Sequence, residues 1–351
     1  MPLLPNFVEQ LILLRLNQGP GPLLDLFGAG AFRVAHSALK LGIFDALSQG
    51  PLTGEELAQR IGMHERAATA LLSTLEAFGY VKRTSYGCYV NTPVTAKWLL
   101  SNSPSHLADF LTWWQQLVFT FWDQYFEAVM QDGRPPLTMY EWLESQPDGW
   151  NVAQAGFEAT ARLVVKDVVA RIDLPLGSKR VLDVGGGHGL YSIELCRRHP
   201  EITATVFDLL GALERAKENS RASGLSDRVR ILPGDYREDD LGSDYDLALV
   251  FNVIHAHQPE DNIRLLKKVA AALTPNGRVV ILDQMDNKAF GPMTRAANSL
   301  IGLAYFTLLS GQTFTYKAVT SWLSEAGFAV ISRKSLLKAP GTSMIVAVRN
   351  S

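Results

Sequence analysis

The sequence predicts an α/β chain in which a doubly wound parallel sheet with a C-terminal β-hairpin follows a mostly helical, winged-helix-like front half. Three observations predict it. From residue 179 short β-rich runs alternate with helical stretches, the first of those runs ends in the glycine-rich turn VLDVGGGHG (181–189), and residues 31–107 read as short helices followed by a hairpin. At 351 residues the chain exceeds the roughly 250–300 residues at which one core stops growing, so two domains are expected, 1–165 and 166–351.

The N-terminal run FVEQLILLRL is interrupted by Glu9 and Arg15 and lacks the basic leader and small-residue cleavage site of a signal peptide. No stretch is long enough to span a bilayer. The front half then reads AFRVAHSALKLGIFDALSQG, TGEELAQRIG, ERAATALLSTLEAFGYV and VKRTSYGCYVNTP, three helical segments and a wing-like hairpin. Thr53 with Glu56 has the spacing of a capping box, and Gly62 should end that helix. Residues 108–131, ADFLTWWQQLVFTFWDQYFEAVMQ, are aromatic almost all round, which calls for cover on more than one side, from another domain or another subunit. DGRPP (132–136) and ESQPDG (144–149) are turns, and a helix resumes to about Arg171.

The sheet is expected from KRVLDV, TATVFD, RVRILPGDY, DLALVFNVI and GRVVILDQ, separated by helices such as GLYSIELCRRH and EDNIRLLKKVAAAL. FAVISRKSLL and SMIVAVRN flank the turn KAPGT and predict the closing hairpin.

Composition narrows the function. With 33 basic against 35 acidic residues the net charge is -2, which advertises no polyanionic partner. The candidate recognition helix begins His64-Glu65-Arg66 and carries few side chains able to read base edges, so a DNA-binding regulator ranks behind an enzyme. Cys88 and Cys196 make neither a disulfide framework nor a cysteine-rich zinc site; they are expected as core thiols in a reducing, cytoplasmic compartment.

In a parallel sheet, ligands bind outside the carboxyl ends of the strands, where glycines let ligand atoms approach the backbone and a helix N-terminus. A dinucleotide fingerprint needs G-x-G-x-x-G, yet the sixth position is Leu190 counted from Gly185 and Ser192 counted from Gly187. That weakens a nicotinamide oxidoreductase reading. Asp208, 19 residues after Gly189 at the end of the next strand, is placed to accept from two ribose hydroxyls, a role that fits NAD and S-adenosylmethionine equally. In GDY (234–236), Asp235 suits an adenine amino group and Tyr236 a ring face.

The order of the DxGGGxG turn, the second-strand acid, GDY and the terminal hairpin resembles the Rossmann-like class I S-adenosylmethionine-dependent methyltransferases. More narrowly, AxxLGIFDAL, VLDVGGGHG, VIHAHQPED, GRVVILDQ and SEAGF are similar to the small-molecule O-methyltransferases of plants and bacteria over nearly the whole chain. The resemblance implies a homodimer whose N-terminal domain also closes the partner's pocket. It implies S-adenosylmethionine held by Asp183, Gly185, Gly187, Asp208, Leu209, Gly234, Asp235, Tyr236 and Asn252, and a methyl transfer that needs no metal. The family's His-Asp-Trp motif falls on VIHAHQPED, which makes His255 the general base, with Ala256 and His257 in place of the Asp-Trp pair. The acid that orients the base would be Asp283, while Thr313 stands where the family has a second acid.

Methyl transfer from a sulfonium is an in-line displacement, so the protein must align the acceptor, exclude water and unmask the nucleophile. A histidine is matched to deprotonating a hydroxyl at neutral pH, and a carboxylate on its other nitrogen fixes the tautomer. Candidate acceptor contacts are Trp114, Phe121 and Trp122 on the aromatic stretch and Met293, Asn298 and Tyr305 in 293–306. The expected acceptor is a hydroxyl of a hydrophobic, aromatic secondary metabolite, with a carbon or nitrogen acceptor as the alternative.

Overall fold

In the computed structural model, which describes residues 5–285, 291–336, 339 and 341–350, the chain divides into two compact units, Met1–Gln115 and Gln116–Ser351. The first unit contains the helices Leu23–Lys40, Ile43–Ser48, Gly54–Ile61 and Glu65–Ala77, followed by an antiparallel hairpin of β1 (Val81–Arg83) and β2 (Tyr89–Asn91). The predicted capping box is formed. Glu56 N–H donates to Thr53 Oγ1 at 3.2 Å, Thr53 N–H donates to Glu56 Oε2 at 2.7 Å, and Gly62 closes the helix at φ 67°, in the left-handed region that suits glycine. Phe44, Leu57, Leu72, Leu75 and Val81 form this unit's core, while Leu26 and Phe27 are exposed at 62% and 43%.

The aromatic stretch is not one continuous helix. It runs Ala108–Trp113, widens into a π turn at Trp114–Val118 and resumes as Phe119–Asp132. A π turn is invisible to a 3.6-residue pattern, because only one residue is added. The helix expected to run to about Arg171 spans Gly149–Val169 and lies in the second unit, where Ala161, Val165, Val168 and Val169 join a core with Tyr191, Ile193 and Leu195.

The second unit is built on seven strands: β3 (Arg180–Val184), β4 (Thr203–Asp208), β5 (Val229–Pro233), β6 (Tyr245–Phe251), β7 (Leu273–Gln284), β8 (Phe328–Ser335) and β9 (Thr342–Arg349). Their order is β5-β4-β3-β6-β7-β9-β8. The first five are parallel, and β9 runs antiparallel between β7 and β8, as the predicted terminal hairpin requires. Part of its turn, KAPGT, lies outside the described residues. Helices cover both faces. Leu190–Arg198 and Glu214–Ala222 pack with Gly149–Val169 on one side, and Pro259–Ala272 and Tyr316–Glu325 on the other. Burial on both faces explains the unbroken apolar runs LALVF and VVIL. The chain moves outward through β3, β4 and β5 and then returns to place β6 beside β3, so the strand order reverses between β3 and β6. That is where open α/β sheets bind ligands.

Cys196 is buried, as expected, and burial pushes its thiol up to about 11; Cys88 is only partly buried, at the mouth of the small hairpin, where two short strands cannot cover it. Among the described residues no helix is long and apolar enough to cross a membrane.

Candidate active site

The predicted residues gather at the carboxyl ends of β3 to β7, each strand supplying one part. At β3 the turn begins with Asp183, which is 2% exposed and accepts a hydrogen bond from Ser192 Oγ at 2.7 Å. Burial raises its carboxyl to about 7, opposed by the Ser192 bond and reinforced by the negative Asp208. Gly186 follows. A Cβ there would lie 2.7 Å from Asp183 Cγ and 2.8 Å from Val206 Cγ1, so only glycine lets the turn fold over the acid. Gly185 and Gly187 have φ of 67° and 46°.

At β4, Asp208 accepts from Gly187 N–H at 2.8 Å and from Leu209 N–H at 2.7 Å, one bond to each carboxylate oxygen. Each oxygen keeps a lone pair for a hydroxyl donor. Burial raises this carboxyl to about 6 despite those bonds, with Asp235 adding to the rise. At β5, Gly234 N–H donates to Asp208 O at 2.9 Å, and a Cβ on Gly234 would fall 2.4 Å from Phe207 Cζ. Asp235 is held by the Arg237 guanidinium, with Nη2 to Oδ2 at 2.7 Å and Nε to Oδ1 at 3.0 Å, and this bond keeps its carboxyl below the usual range. Sequence reasoning missed this partner. Tyr236 lies beside the glycine turn, since its ring would be 3.6 Å from a Cβ on Gly185, and its hydroxyl is 2.8 Å from His257 Nε2. Burial and Arg237 press His257 down to about 4, so it is neutral at pH 7.

At β6, Asn252 takes a left-handed φ of 54° and its N–H donates to Leu282 O at 2.7 Å, which turns the chain into the short helical turn Ile254–Ala256. His255 stands on that turn, 6% exposed, and Asp283 at the end of β7 is fully buried. Their separation is 2.8 Å between Nδ1 and Oδ1, and Asp283 also accepts from the backbone N–H of His255 at 3.3 Å and of Gln284 at 2.7 Å. The carboxylate thus fixes the imidazole as Nδ1–H and leaves Nε2 for proton transfer. Tyr305 stacks on that imidazole, with centroids 3.7 Å apart and planes 13° apart. Tyr305 therefore packs on the candidate base.

The other candidate acceptor contacts scatter. Phe121 is fully buried against Tyr125 and Trp142, a core position. Trp122 Nε1–H donates to Thr307 Oγ1 at 2.8 Å, which ties the aromatic stretch to Pro292–Leu309. Trp114 packs edge-on against Trp113 and Phe110. Met293 is 84% exposed, and Asn298 Oδ1 accepts from Gln284 Nε2 at 3.0 Å. Thr313 lines an open pocket of about 680 Å³ together with Arg134, Phe306, Gly311 and Gln312, and Gln312 N–H donates to His255 O at 2.9 Å. Gly311 permits that closeness, because a Cβ there would overlap the His255 carbonyl.

Two further residues carried no local sequence signal. Tyr140 stacks on Trp150 at 5.8 Å, and burial together with Asp208 and Asp283 holds its hydroxyl well above the usual range. Gln154 lies over Gly187, brought there by a helix that ends eleven residues before β3 begins.

Against known proteins, residues 116–329 match the model of the O-methyltransferase domain and residues 26–102 that of the O-methyltransferase dimerisation domain. The dimerisation match thus covers residues 31–102 of the winged-helix-like segment. The chain is 30% identical over 321 residues to a 3-hydroxy-5-methyl-1-naphthoate 3-O-methyltransferase of Streptomyces sahachiroi, with 89% of each chain covered. It is 27% identical to an L-tyrosine C(3)-methyltransferase of Streptomyces lavendulae, covering 86% of this chain and 85% of that one. The fold is shared with the crystal structure of human N-acetylserotonin methyltransferase in complex with SAM, at a TM-score of 0.79 and 21% identity, covering 94% of this chain and 97% of the other.

Proposed function

The chain belongs to the O-methyltransferase family and uses S-adenosylmethionine as its methyl donor, and from that premise we propose that it methylates a hydroxyl of a hydrophobic aromatic small molecule, with His255 as general base, as a cytoplasmic homodimer. The cleft suits the donor. Asp208 offers acceptor lone pairs to ribose hydroxyls, Asp235 and Tyr236 offer an acceptor and a ring face to adenine, and the turn 185–187 admits close approach of ligand atoms. When bound, S-adenosylmethionine supplies an electrophilic methyl on a sulfonium.

The remaining chemistry belongs to the chain's own side chains. Asp235 and Tyr236 at β5 would hold the adenine and Asp208 at β4 the ribose, and S-adenosylmethionine held there would supply its methyl on the side of β6 and β7, where His255 and Asp283 stand. His255 Nε2 takes the hydroxyl proton, and Asp283 steadies the imidazolium that results. Neutral His257 holds Tyr236 in place and adds no charge to compete with the sulfonium. The observation that carries this reading is the buried 2.8 Å contact between His255 Nδ1 and Asp283. His255→Asn is expected to lower turnover on a phenolic acceptor by about 10²–10⁴-fold, the usual share of general-base catalysis, with affinity for S-adenosylhomocysteine unchanged. Turnover within about threefold of the parent would leave alignment alone as the mechanism.

The relative that methylates C3 of tyrosine favours a second reading. A phenolate formed by His255 would also activate a carbon beside the hydroxyl, and methylation of deuterated acceptors separates the two by whether ring deuterium is lost.

A further inference from the structure

Gln154 is 5% exposed, and its Oε1 has no hydrogen-bond partner among the described residues. Its amide lies against the glycine turn, close enough that a Cβ on Gly187 would be 2.5 Å from Oε1. Gly187 is also the residue whose N–H reaches the Asp208 carboxylate at 2.8 Å. Buried amide oxygens are seldom left without a donor, because the lost hydration is not replaced. The cost is avoidable, since a leucine would fill the same volume, and an acceptor held in this place calls for a donor from outside the chain.

The order of the strand ends identifies that donor. With adenine on the β5 side and ribose at β4, as proposed above, the amino-acid tail of the cofactor would run over the β3 turn, where Gly187 lies against Gln154. The tail carries two polar groups. Its carboxylate only accepts hydrogen bonds, whereas its ammonium only donates them, so an acceptor oxygen can pair with the ammonium alone. We propose that Gln154 Oε1 accepts a hydrogen bond from the α-ammonium of S-adenosylmethionine, which makes it a cofactor-binding residue supplied from outside the sheet. The inference rests on the cofactor orientation given above. It also accounts for glycine at 187, where any side chain would displace the amide from the turn.

Calorimetry with three ligands tests it: S-adenosylhomocysteine, its deaminated analogue with hydrogen in place of the α-ammonium, and 5′-methylthioadenosine, which lacks the tail. Gln154→Leu should weaken S-adenosylhomocysteine by about 10–100-fold, the range for a hydrogen bond to a charged group, and leave the other two ligands within about twofold. Gln154→Glu should bind S-adenosylhomocysteine at least as tightly as the parent, while losing the deaminated analogue. Two results overturn the proposal: S-adenosylhomocysteine affinity within about threefold in Gln154→Leu, or an equal loss of 5′-methylthioadenosine, which marks a structural role. Should Gln154→Leu fail to fold, the glutamate variant decides, and weaker S-adenosylhomocysteine binding there places the carboxylate, not the ammonium, beside residue 154. A parent protein that binds none of the three ligands overturns the proposed cofactor site on which this inference rests.

Discussion

Cofactor affinity is expected to fall in mild acid, and Asp208 is the reason. Its carboxyl stands at about 6 in the ligand-free chain because burial outweighs the bonds from Gly187 and Leu209. With one N–H already bonded to each oxygen, protonation would turn an acceptor position that a ribose hydroxyl needs into a donor, so binding favours the charged form and lowers this pKa in the complex. The sign follows. Affinity is complete above about pH 7 and is lost as pH falls through 6 toward the lower value of the complex. Between pH 7 and pH 5 the ionised fraction drops from about 90% to about 10%, so the dissociation constant of S-adenosylhomocysteine should rise about tenfold. Calorimetry between pH 5 and 8 measures this directly. Asp208→Asn supplies the control, since it should bind about 10–100-fold more weakly at pH 7 and lose the Asp208 part of the pH dependence. Asp183, whose carboxyl burial raises to about 7 beneath the same turn, remains in that variant and should leave a residual pH dependence there. Equal affinity at pH 5 and pH 7 in the parent, or parental affinity in Asp208→Asn, would refute the reasoning.

Gly186→Ala should lower both the Tm and S-adenosylhomocysteine affinity, because the added Cβ meets Asp183 and Val206 below 3 Å; Gly302→Ala, with nothing within 4 Å on the helix Pro292–Leu309, should raise the Tm slightly. Thermal unfolding with and without ligand reads both. Tyr305→Ala should lower kcat about 3- to 10-fold through loss of the stacked ring, and Tyr305→Phe should restore it, a pattern that steady-state kinetics distinguishes from a role of the hydroxyl. Leu26→Glu with Phe27→Glu should convert a homodimer to monomers in light scattering, since both exposed side chains fall within the dimerisation match; an unchanged mass places the interface elsewhere.

The strands and the strand-end acids were legible because their signals are local: two-residue periodicity, a glycine cluster, an aspartate at the end of an apolar run. VLDVGGGHG showed where a ligand approaches and the spacing to Asp208 that it carries a ribose, while the missing third glycine and the order of the motifs separated S-adenosylmethionine from NAD. Side chains that arrive from elsewhere in the chain were not legible. Gln154 and Tyr140 lie on helices whose polar and aromatic residues look ordinary, and only the packing of Gly149–Val169 on the sheet carries Gln154 to the turn. Arg237 was overlooked for the opposite reason, as a charged neighbour two residues from Asp235 reads as solvated surface until its guanidinium is seen on the carboxylate. The aromatic stretch offers Trp114, Phe121 and Trp122 alike as acceptor contacts in the sequence, whereas in the fold Phe121 is core, Trp122 is tied to Thr307, and a π turn spans Trp114–Val118.

The central claim is that His255 and Asp283 remove a proton from the acceptor. It is tested most directly by comparing His255→Asn with the parent across a series of phenolic acceptors of decreasing pKa, in single turnovers with saturating S-adenosylmethionine. For a phenol that ionises near pH 10 the substitution should cost about 10²–10⁴-fold, and for one already ionised at neutral pH the cost should shrink to within about threefold, because no proton then remains to be moved. A cost that is the same for every acceptor, or absent for all of them, would contradict the account.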